Sequence, residues 1–421
     1  MRPVNNSDHQ PLALFAATGI ELEYMIVSRD SQDVLPVSDQ VIHSVTGDYE
    51  NEYEEGPIGW SNELVLHVLE FKTNGPAAQL GSLADLFREN IQRVNDILQG
   101  HGGMLMPTAM HPWMNPALQM SLWPHGDREI YQTFDRIFNC QGHGWSNLQS
   151  MHINLPFADD REFALLHTAI RTLLPVMPAF AASSPLREGD LTGMLDTRLE
   201  TYRHNASRIP EVTGLVVPEY IASRSEYDSL ILVPMYEAIK PHDPAGVLQY
   251  EWLNARGAIA RFDRNTIEIR VLDTQETPAA DLAIAGFCIA ILKALIDRHW
   301  GEQSLPSSMA TENLAAILHA TIRDGEHAVI NDASYLQLFG FPEAKCEAGE
   351  LGYHLLETLP REASDEGMFW RETIRFILNR GTLASRICKA LGHTAKRSYI
   401  EETYRVLCKC LAEGRLFEGI S

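Results

Sequence analysis

The amino-acid sequence predicts an α+β fold, in which a mainly antiparallel sheet is followed by a helical C-terminal part. Segments that alternate like strands are mixed with helical segments as far as Ala279, and the periodic segments after it are almost wholly helical. No G-x-G-x-x-G follows a strand and no G-x-x-x-x-G-K-[ST] occurs, so neither common nucleotide-binding turn is supported. We expect a sheet-containing domain over 12–300, with a helical part over 301–421 packed on it.

The strand predictions rest on a two-residue alternation of apolar and polar side chains. In Thr18–Val27 the apolar residues fall on one face, and Glu21 and Glu23 fall on the other. Asp48–Gly59 is acidic and contains glycine and proline, which favours a surface loop. The further predicted strands are Glu63–Thr73, Met151–Phe157 and Ala258–Leu272.

The helix predictions rest on apolar residues spaced three and four apart. Ser82, with Asp85 three residues later, is typical of a helix start, and Gly100–Gly103 ends this first helix. Residues 1–11 are polar, and we expect them to be loose. The other helical segments are Arg161 to about Ala182, Ala279–His299, Ala310–Arg323, Met368–Asn379 and Tyr399–Ala412.

The charge balance limits the partners of the protein. There are 34 Lys+Arg against 56 Asp+Glu, for a formal net charge of −22. Such a surface repels nucleic acid and anionic membranes, so we expect no nucleic-acid partner and no membrane partner. An anionic substrate must therefore be held by a local group of arginines or by metal ions.

The cysteine pattern and the hydropathy bear on the compartment. The six cysteines include no C-x-x-C pair, which fits thiols in a reducing compartment better than a disulfide framework. No run approaches the ~18 apolar residues that a membrane helix needs. We expect a cytoplasmic protein.

Carboxylates on two predicted strands suggest a metal site. Glu21 and Glu23 project from the same strand face and repel each other unless a cation lies between them, and Mg²⁺ prefers such oxygen ligands. Glu70 ends an apolar run and needs a cation or a donor, which Lys72 could be as an ion-pair partner. Glu63 is seven residues earlier, on the opposite face of a regular strand, and would need a bulge to join Glu70. The alternative for Glu21 and Glu23 is a solvated strand face.

Two further segments carry candidate ligands. His152 and Asn154 share a strand face, where the imidazole is a plausible extra ligand, although a lone strand histidine is more often structural. In Asn254–Asp273 four arginines stand close together in an acidic chain, and Glu268 and Arg270 share one strand face. Arginine binds phosphate and carboxylate through two hydrogen bonds, but a salt-bridged strand is the alternative.

Five segments, taken in order, resemble glutamate–cysteine ligase family 2, the carboxylate–amine ligases of the glutamine-synthetase-like fold. The resemblance covers about residues 18–300, and the tail matches only as generic helices. The segments are Gly19-x-Glu-x-Glu23, Glu63-x6-Glu70, Met151–Leu155, Ser183-Ser184-Pro185 with Asp196-Thr-Arg198, and Thr266–Thr274.

The resemblance implies a curved, mainly antiparallel sheet that forms a funnel, flanked by helices, with 12–300 as the catalytic domain. It implies that the protein binds ATP together with Mg²⁺, or alternatively Mn²⁺, and that it forms a homo-oligomer, specifically a dimer. Relatives usually carry H-x-H-x-G where this chain has Asn154 and Pro156, so substrate handling there differs. The implied metal ligands are Glu21, Glu23, Glu70, His152 and Glu268. The implied ATP-binding residues are Arg256, Arg261 and Lys72, and the implied substrate-binding residues are Arg198, Arg270 and Asn154. The implied catalytic residues are Glu63, Arg261 and Arg270.

The expected reaction joins the carboxylate of glutamate, or of a similar amino acid, to an amine through an acyl-phosphate, with release of ADP and phosphate. Metals and arginines would neutralise the transferring phosphoryl group, and a carboxylate such as Glu63 would take the proton of the amine. A guanidino-kinase-like phosphotransferase and an inactive ATP-binding protein of the same fold are the alternatives. The acidic segment Asp48–Glu55, if it lies at the funnel mouth, favours a cationic amine over cysteine.

Overall fold

The computed structural model describes residues 11–301, 309–360, 369–392 and 395–420, and its main feature is an eight-stranded sheet. The strand order is β2-β3-β4-β1-β6-β10-β9, and β5 pairs with β1 beyond the end of β4. All neighbouring strands are antiparallel. These strands are β1 (Gly19–Ser28), β2 (Glu52–Tyr53), β3 (Ile58–Asn62), β4 (Val68–Thr73), β5 (Gly103–Met106), β6 (Ser150–Pro156), β9 (Ala258–Arg261) and β10 (Thr266–Asp273). Two further sheets have two strands each: β7 (Leu186–Arg187) pairs with β8 (Asp190–Leu191), and β11 (Val329–Ile330) pairs with β12 (Cys346–Glu347).

Helices flank the sheet and make up most of the chain after β10. Short 3₁₀ and π segments connect some of them. Together with the antiparallel sheet they confirm the α+β prediction. The helices are α1 (Ser38–Thr46), α2 (Leu83–Gln99), α3 (Pro116–Gln119), α4 (Arg128–Phe138), α5 (His143–Ser146), α6 (Asp160–Leu173), α7 (Pro178–Ala181), α8 (Thr197–Tyr202), α9 (Arg224–Tyr227), α10 (Val233–Ile239), α11 (Pro278–Ile296), α12 (Thr311–Asp324), α13 (Ala333–Gln337), α14 (Ala348–Thr358), α15 (Phe369–Arg380), α16 (Leu383–Leu391) and α17 (Arg397–Glu413).

Two strand predictions are confirmed and two need correction. β1 and β6 lie within a residue of the predicted bounds. The segment Ala258–Leu272 is a hairpin rather than one strand, because the chain turns at Asn265, whose φ is +52°. Glu63–Thr73 is not one strand either: β3 ends at Asn62, the chain reverses over 63–67, and only β4 follows. Asp48–Gly59 is likewise not only a loop, since it contains β2 and the start of β3.

The predicted helices are confirmed to within a few residues, although Met368 and residues 1–10 lie outside the described part of the chain. Ser82 precedes α2 as predicted, but its side chain makes no capping hydrogen bond. Four helices of nine or more residues were not predicted: α1, α4, α14 and α16.

Helix α11 corrects the expectation that no segment is apolar enough to cross a membrane. Pro278–Ile296 has 19 residues and a mean hydropathy of 2.1, so its length and composition would suffice. In the structure 78% of this stretch is buried inside the protein, and Phe287 stacks against Trp370 with ring centroids 5.5 Å apart. A helix that is apolar all round is typical of such a buried position.

The hydrophobic core extends across residue 300. The largest cluster of buried side chains includes Ile20 and Ile269 from the sheet as well as Leu314, Leu355 and Leu411 from the later helices. Because the two parts share this core, the core marks no boundary at residue 300. The division there stays a prediction.

A buried ion pair also joins the C-terminal helices to the end of the sheet. Arg386 of α16 lies 2.5 Å from Glu276, which follows β10, and the exposed fractions of the two side chains are 4% and 0%. The backbone of Phe417 donates to Glu276 and accepts from Arg386, and the backbone oxygen of Gly381 accepts a further hydrogen bond from Arg386.

Replacing Arg386 by leucine should lower the free energy of unfolding by about 3–5 kcal/mol, because Glu276 would remain buried without its cation. Urea unfolding followed by circular dichroism measures the change. Arg375→Leu is the matched control, since Arg375 pairs with Glu357 at 50% and 54% exposure, and it should cost below about 1 kcal/mol. Equal costs for the two variants would contradict a stabilising role for the buried pair.

Candidate active site

A cavity of 660 Å³ lies over one face of the main sheet. Strands β1, β3, β4, β6 and β10 supply its floor, and helices α4, α5 and α8 supply much of the opposite wall. Its lining combines seven carboxylates with five Lys or Arg residues and a group of aromatic rings. A cavity with this many titratable groups is the natural place to look for chemistry.

The strand register explains why the predicted acidic residues meet. Glu23 of β1 is directly opposite Glu70 of β4, and Glu21 is opposite His152 of β6. Because side chains alternate along a strand, all four project from the same face. His152 Nδ1 donates to Glu21 Oε2 at 2.9 Å, and Ser150 N donates to Glu23 Oε2 at 2.8 Å.

Glu63 joins this group by a route that the sequence did not predict. It follows β3 directly, and β3 pairs with β4 so that Ser61 lies opposite Glu70. The chain reversal after Asn62 therefore replaces the bulge that a single strand would have required. Oxygens of Glu63, Glu23 and Glu70 all lie within 4.8 Å of one another.

Burial and mutual repulsion shift the proton affinities of these carboxyls. Burial, followed by the charge of Glu23, raises the pKa of Glu63 to about 8. Burial, together with the charges of Glu21 and Glu63, raises the pKa of Glu70 well above its usual range. Burial alone would raise the pKa of Glu21 too, but the hydrogen bond and charge of His152 outweigh it and lower the pKa to about 2.

The donor set fits divalent cations. A second group, Glu21, Glu70 and His152, also has ligand atoms within 4.8 Å of one another, and Glu70 belongs to both groups. Carboxylate oxygens suit Mg²⁺ and Mn²⁺, and the repulsion that raises two of the pKa values is what a bound cation would remove. Glu268 lies at the edge of these groups, with Oε1 3.8 Å from His152 Nδ1.

Glu268 is held by two arginines of the predicted set. Arg270 Nε donates to Glu268 Oε1 at 2.5 Å, and Arg261 Nη1 donates to Glu268 Oε2 at 3.4 Å. Burial would raise the pKa of Glu268, but the charge of Arg270 leads the effects that lower it instead. Arg261 and Arg270 both line the cavity, as does Arg264, which the sequence placed in the cluster without a role.

Arg256 does not line the cavity, in contrast to its expected contact with ATP. Its guanidinium forms two hydrogen bonds with Glu219, at 2.6 and 2.8 Å, and a third with the backbone oxygen of Glu211. This pairing turns the side chain away from the acidic groups. Glu219 is 37 residues distant in the sequence, so no local pattern could have indicated it.

Arg198 borders the cavity but is 2% exposed. Its Nη2 donates to the backbone oxygen of Arg270 at 2.8 Å, and its Nη1 lies 3.6 Å from Asp273. Asp273 in turn accepts from the backbone of Ser183 and the hydroxyl of Ser184. The segments around Ser183 and Arg198 therefore hold β10 in place, and Arg198 positions Arg270.

Lys72 and Asn154 are both engaged with carboxylates. Lys72 Nζ pairs with Glu52 of β2 at 2.8 Å, so it does not bond directly to Glu70 as the sequence suggested. Asn154 Nδ2 donates to Glu21 Oε1 at 3.0 Å and thus orients a candidate metal ligand. Lys72 lines the cavity and Asn154 does not.

The residues that sequence reasoning missed lie mainly on the wall opposite the sheet. Ser61, whose hydroxyl donates to Glu70 at 2.6 Å, lies on the unpredicted β3. The aromatic residues come from short or unpredicted helices and carried no motif. These aromatic residues are Tyr131, Phe134, Trp145, Tyr202 and Trp252.

The two ends of the cavity differ in chemistry. Arg261, at the end of β9, and Arg264, in the β9–β10 turn, mark one end, which we call the arginine end. Glu63, which follows β3, marks the other end, where Asn62 beside it donates to Tyr131 of α4 at 2.9 Å. In the strand order, β4, β1 and β6, which carry Glu70, Glu21, Glu23 and His152, lie between β3 and the arginine end.

Comparison with known proteins identifies the family. The model of glutamate–cysteine ligase family 2 matches residues 17–405, and the chain belongs to this family of ligases. The match continues through the C-terminal helices, which corrects the narrower resemblance over 18–300. An uncharacterised protein of Archaeoglobus fulgidus is 35% identical over 354 residues, which is 83% of this chain and 94% of that protein.

Two solved structures share the fold. The glutamate–cysteine ligase of Francisella tularensis, solved in complex with AMP, has a TM-score of 0.55 at 13% identity and covers 94% of this chain and 88% of its own. A bifunctional glutathione synthetase from Pasteurella multocida has a TM-score of 0.59 at 13% identity, covering 95% of this chain and 53% of its own. At this identity the likeness establishes the fold.

Replacing Glu63 by glutamine should stabilise the metal-free protein at pH 8 more than at pH 5. The folded carboxyl keeps its proton up to about pH 8, whereas the unfolded one loses it near its ordinary pKa of 4.5, so this group destabilises the fold as pH rises between those values. Thermal unfolding in EDTA at both pH values measures the difference. A gain of the same size at pH 5 and pH 8 would show that the Glu63 charge is not the cause.

Proposed function

We propose that the protein is an ATP-dependent ligase that forms an amide between the carboxylate of glutamate, or of a similar amino acid, and an amine through an acyl-phosphate. The observation that carries this proposal is the pair of carboxylate groups sharing Glu70, placed between the arginine end and Glu63. Family membership and the shared fold support it. The AMP in the complex of the Francisella tularensis enzyme supports nucleotide binding in this fold.

We propose that the arginines bind different substrates. Arg261 and Arg264, which line the cavity at the β9–β10 hairpin, would bind the phosphates of ATP, and Arg270, which lines it on β10, would bind the amino-acid carboxylate. Phosphoryl transfer depends on positioning and charge neutralisation more than on a protein nucleophile. Mg²⁺, or Mn²⁺ in its place, would be held by Glu21, Glu23, Glu70 and His152, with Glu268 at the edge, and would neutralise the phosphate oxygens.

The bond changes follow from this arrangement. A carboxylate oxygen of the donor attacks the terminal phosphorus of ATP, the bond to ADP breaks, and an acyl-phosphate forms. The nitrogen of the amine then attacks the acyl carbon, and phosphate leaves with the electron pair of the broken C–O bond. The amine must lose a proton, and we propose that Glu63, which lines the cavity, accepts it once the bound cations have relieved the repulsion that raises its pKa.

The acidic segment supports a cationic acceptor less than the sequence suggested. Of its five carboxylates only Glu52 lines the cavity, and Lys72 neutralises that one. The other four carboxylates do not line the cavity and therefore would not contact a substrate bound in it. Their position gives no support to a preference for a cationic amine over cysteine.

The dimer and the cytoplasmic location stay predictions. All six cysteines are free thiols in the described part of the chain. Gel filtration with light scattering would determine the oligomeric state.

Glutamate, MgATP and hydroxylamine should give a hydroxamate together with ADP and phosphate, because hydroxylamine traps an acyl-phosphate without needing a specific acceptor site. Glu70→Gln should reduce this rate more than a hundredfold while the protein stays folded, since glutamine keeps the bond with Ser61 but loses the charge shared by both groups. Glu50→Gln, in the exposed acidic segment, is the control. Phosphorylation of a guanidine without amide formation would point to the phosphotransferase, and ATP binding without any turnover to an inactive protein.

Arg261→Lys should raise the KM for ATP, and Arg270→Lys should raise the KM for the donor. Each lysine keeps the charge but loses the two-pronged contact, which is worth about 1.5–3 kcal/mol, or roughly tenfold to a hundredfold. Steady-state kinetics with each substrate varied in turn measures both constants. If the two variants affected both substrates identically, the proposed division between the arginines would be wrong.

A further inference from the structure

A short 3₁₀ segment, Glu251–Leu253, is joined to the arginine end of the cavity. Glu251 Oε2 accepts a hydrogen bond from the backbone nitrogen of Asp263, in the β9–β10 turn, at 3.4 Å. The carboxylate of Asp263 accepts from Arg261 at 3.2 and 3.3 Å, and it lies 3.9 Å from Arg264. These contacts hold the 3₁₀ segment beside the two arginines that would bind the phosphates of ATP.

The side chains that this part of the chain contributes to the cavity are uncharged. Trp252, Leu253 and Ala255 line the cavity. The neighbouring carboxylates, Glu251 and Asp263, do not. An apolar surface with an indole beside a pair of arginines suits a ligand that has a flat apolar part and an anionic part. A nucleotide has both, since its phosphates are anionic and its adenine ring is flat and uncharged.

Neighbouring rings hold the indole of Trp252 in place. Tyr250, which does not line the cavity, is stacked on it, with the ring planes 10° apart and the centroids 5.6 Å apart. Phe134 of α4 contacts it at a tilt of 44°, with the centroids 5.9 Å apart. Trp252 still lines the cavity and is only half-buried, so part of its ring is open to a ligand. A ring fixed in this way loses little conformational freedom when a ligand stacks on it.

The order of charges along the sheet gives the bound nucleotide a direction. Arg261 lies at the end of β9, the last strand of the sheet order, whereas Glu21, Glu23 and Glu70 lie on β1 and β4. The phosphates would lie between the arginines and the cations that these carboxylates hold, because both neutralise phosphate charge. The adenine ring would then extend past the arginines, where Trp252 borders them.

We propose that Trp252 is the residue on which the adenine ring of ATP stacks. This inference rests on the proposed function and assigns a nucleotide-binding residue that no sequence motif indicated. Leu253 and Ala255 continue the apolar surface beside the indole. Trp252 takes no part in the transfer of the phosphoryl group, so its contribution is to the affinity for the nucleotide.

The first test compares MgATP with magnesium tripolyphosphate, which has the three phosphates but no adenine ring. Calorimetry without glutamate measures the Kd of each ligand. Trp252→Leu should raise the Kd for MgATP about tenfold and leave the Kd for tripolyphosphate within about twofold, because stacking contributes only to the first ligand. An unchanged Kd for MgATP would overturn the proposal. So would an equal change for both ligands, or a wild-type protein that does not bind MgATP.

The second test uses fluorescence, because an adenine ring stacked on an indole quenches its emission. MgATP should quench the emission of the wild-type protein and should not quench that of Trp252→Phe. This variant keeps an aromatic ring, so its Kd for MgATP should stay within about threefold, and it replaces Trp252→Leu if leucine prevents folding. Trp300→Leu is the matched control, since Trp300 is also half-buried but packs on Phe339 outside the cavity. Quenching that persists in Trp252→Phe would place the adenine ring elsewhere and overturn the proposal.

These tests separate the inference from the proposed function, because neither of them needs turnover. If glutamate and hydroxylamine yield a hydroxamate while Trp252→Leu binds MgATP as tightly as the wild type, only the stacking site is wrong. If no hydroxamate forms but MgATP quenches the emission of Trp252 and binds about tenfold more weakly to Trp252→Leu, the ligase proposal fails and the stacking site stands.

Discussion

The repulsion between buried carboxylates on one face of the sheet is the constraint on which the rest of the structure depends. The antiparallel register places Glu23 directly opposite Glu70, and the chain reversal after β3 adds Glu63 to the same pair. Charges in so buried a position are unfavourable unless they are protonated or neutralised. Two of these carboxyls hold their protons more tightly than usual, which indicates that the protein alone does not neutralise them. A divalent cation is the simplest neutralising partner.

The guanidinium groups show how the fold keeps the neighbouring charges in place. Glu268 is satisfied by Arg270 and Arg261, so it belongs to an arginine–carboxylate network rather than to the crowded pair. Arg270 itself lies within an irregular stretch of β10, where the register with β6 shifts between Ile269 and Leu272. Arg198 holds the backbone of Arg270 at that point. The position of Arg270 therefore depends on a buried residue, Arg198, that makes little contact with the cavity.

The sequence predicted what local periodicity controls and missed what long-range contacts control. Alternation in β1 was enough to place Glu21 and Glu23 on one face, and the apolar run before Glu70 was enough to indicate that its carboxylate needs a cation or a donor. The pairing of Arg256 with the distant Glu219 could not be predicted, and its role in ATP binding stays a prediction. Glu63 was assigned to the wrong strand because a chain reversal without glycine or proline leaves no periodic trace. The aromatic rings that line the cavity could not be predicted, since they come from separate segments that meet only in the folded chain.

The C-terminal helices share a core with the sheet, and a buried ion pair adds a chemical reason for this contact. Asp273, the last residue of β10, anchors Arg198, and the segment that follows it is polar yet fully buried. Three residues later Glu276 is just as buried, and the cation that neutralises it comes from Arg386 of α16. Without the later helices this carboxylate would have no ion-pair partner in the described chain, and the segment that positions Arg198 would lose its cover. This dependence gives a physical reason for a family match that continues to residue 405. It also explains why a division at residue 300, natural from the periodicity, does not coincide with a boundary of the core.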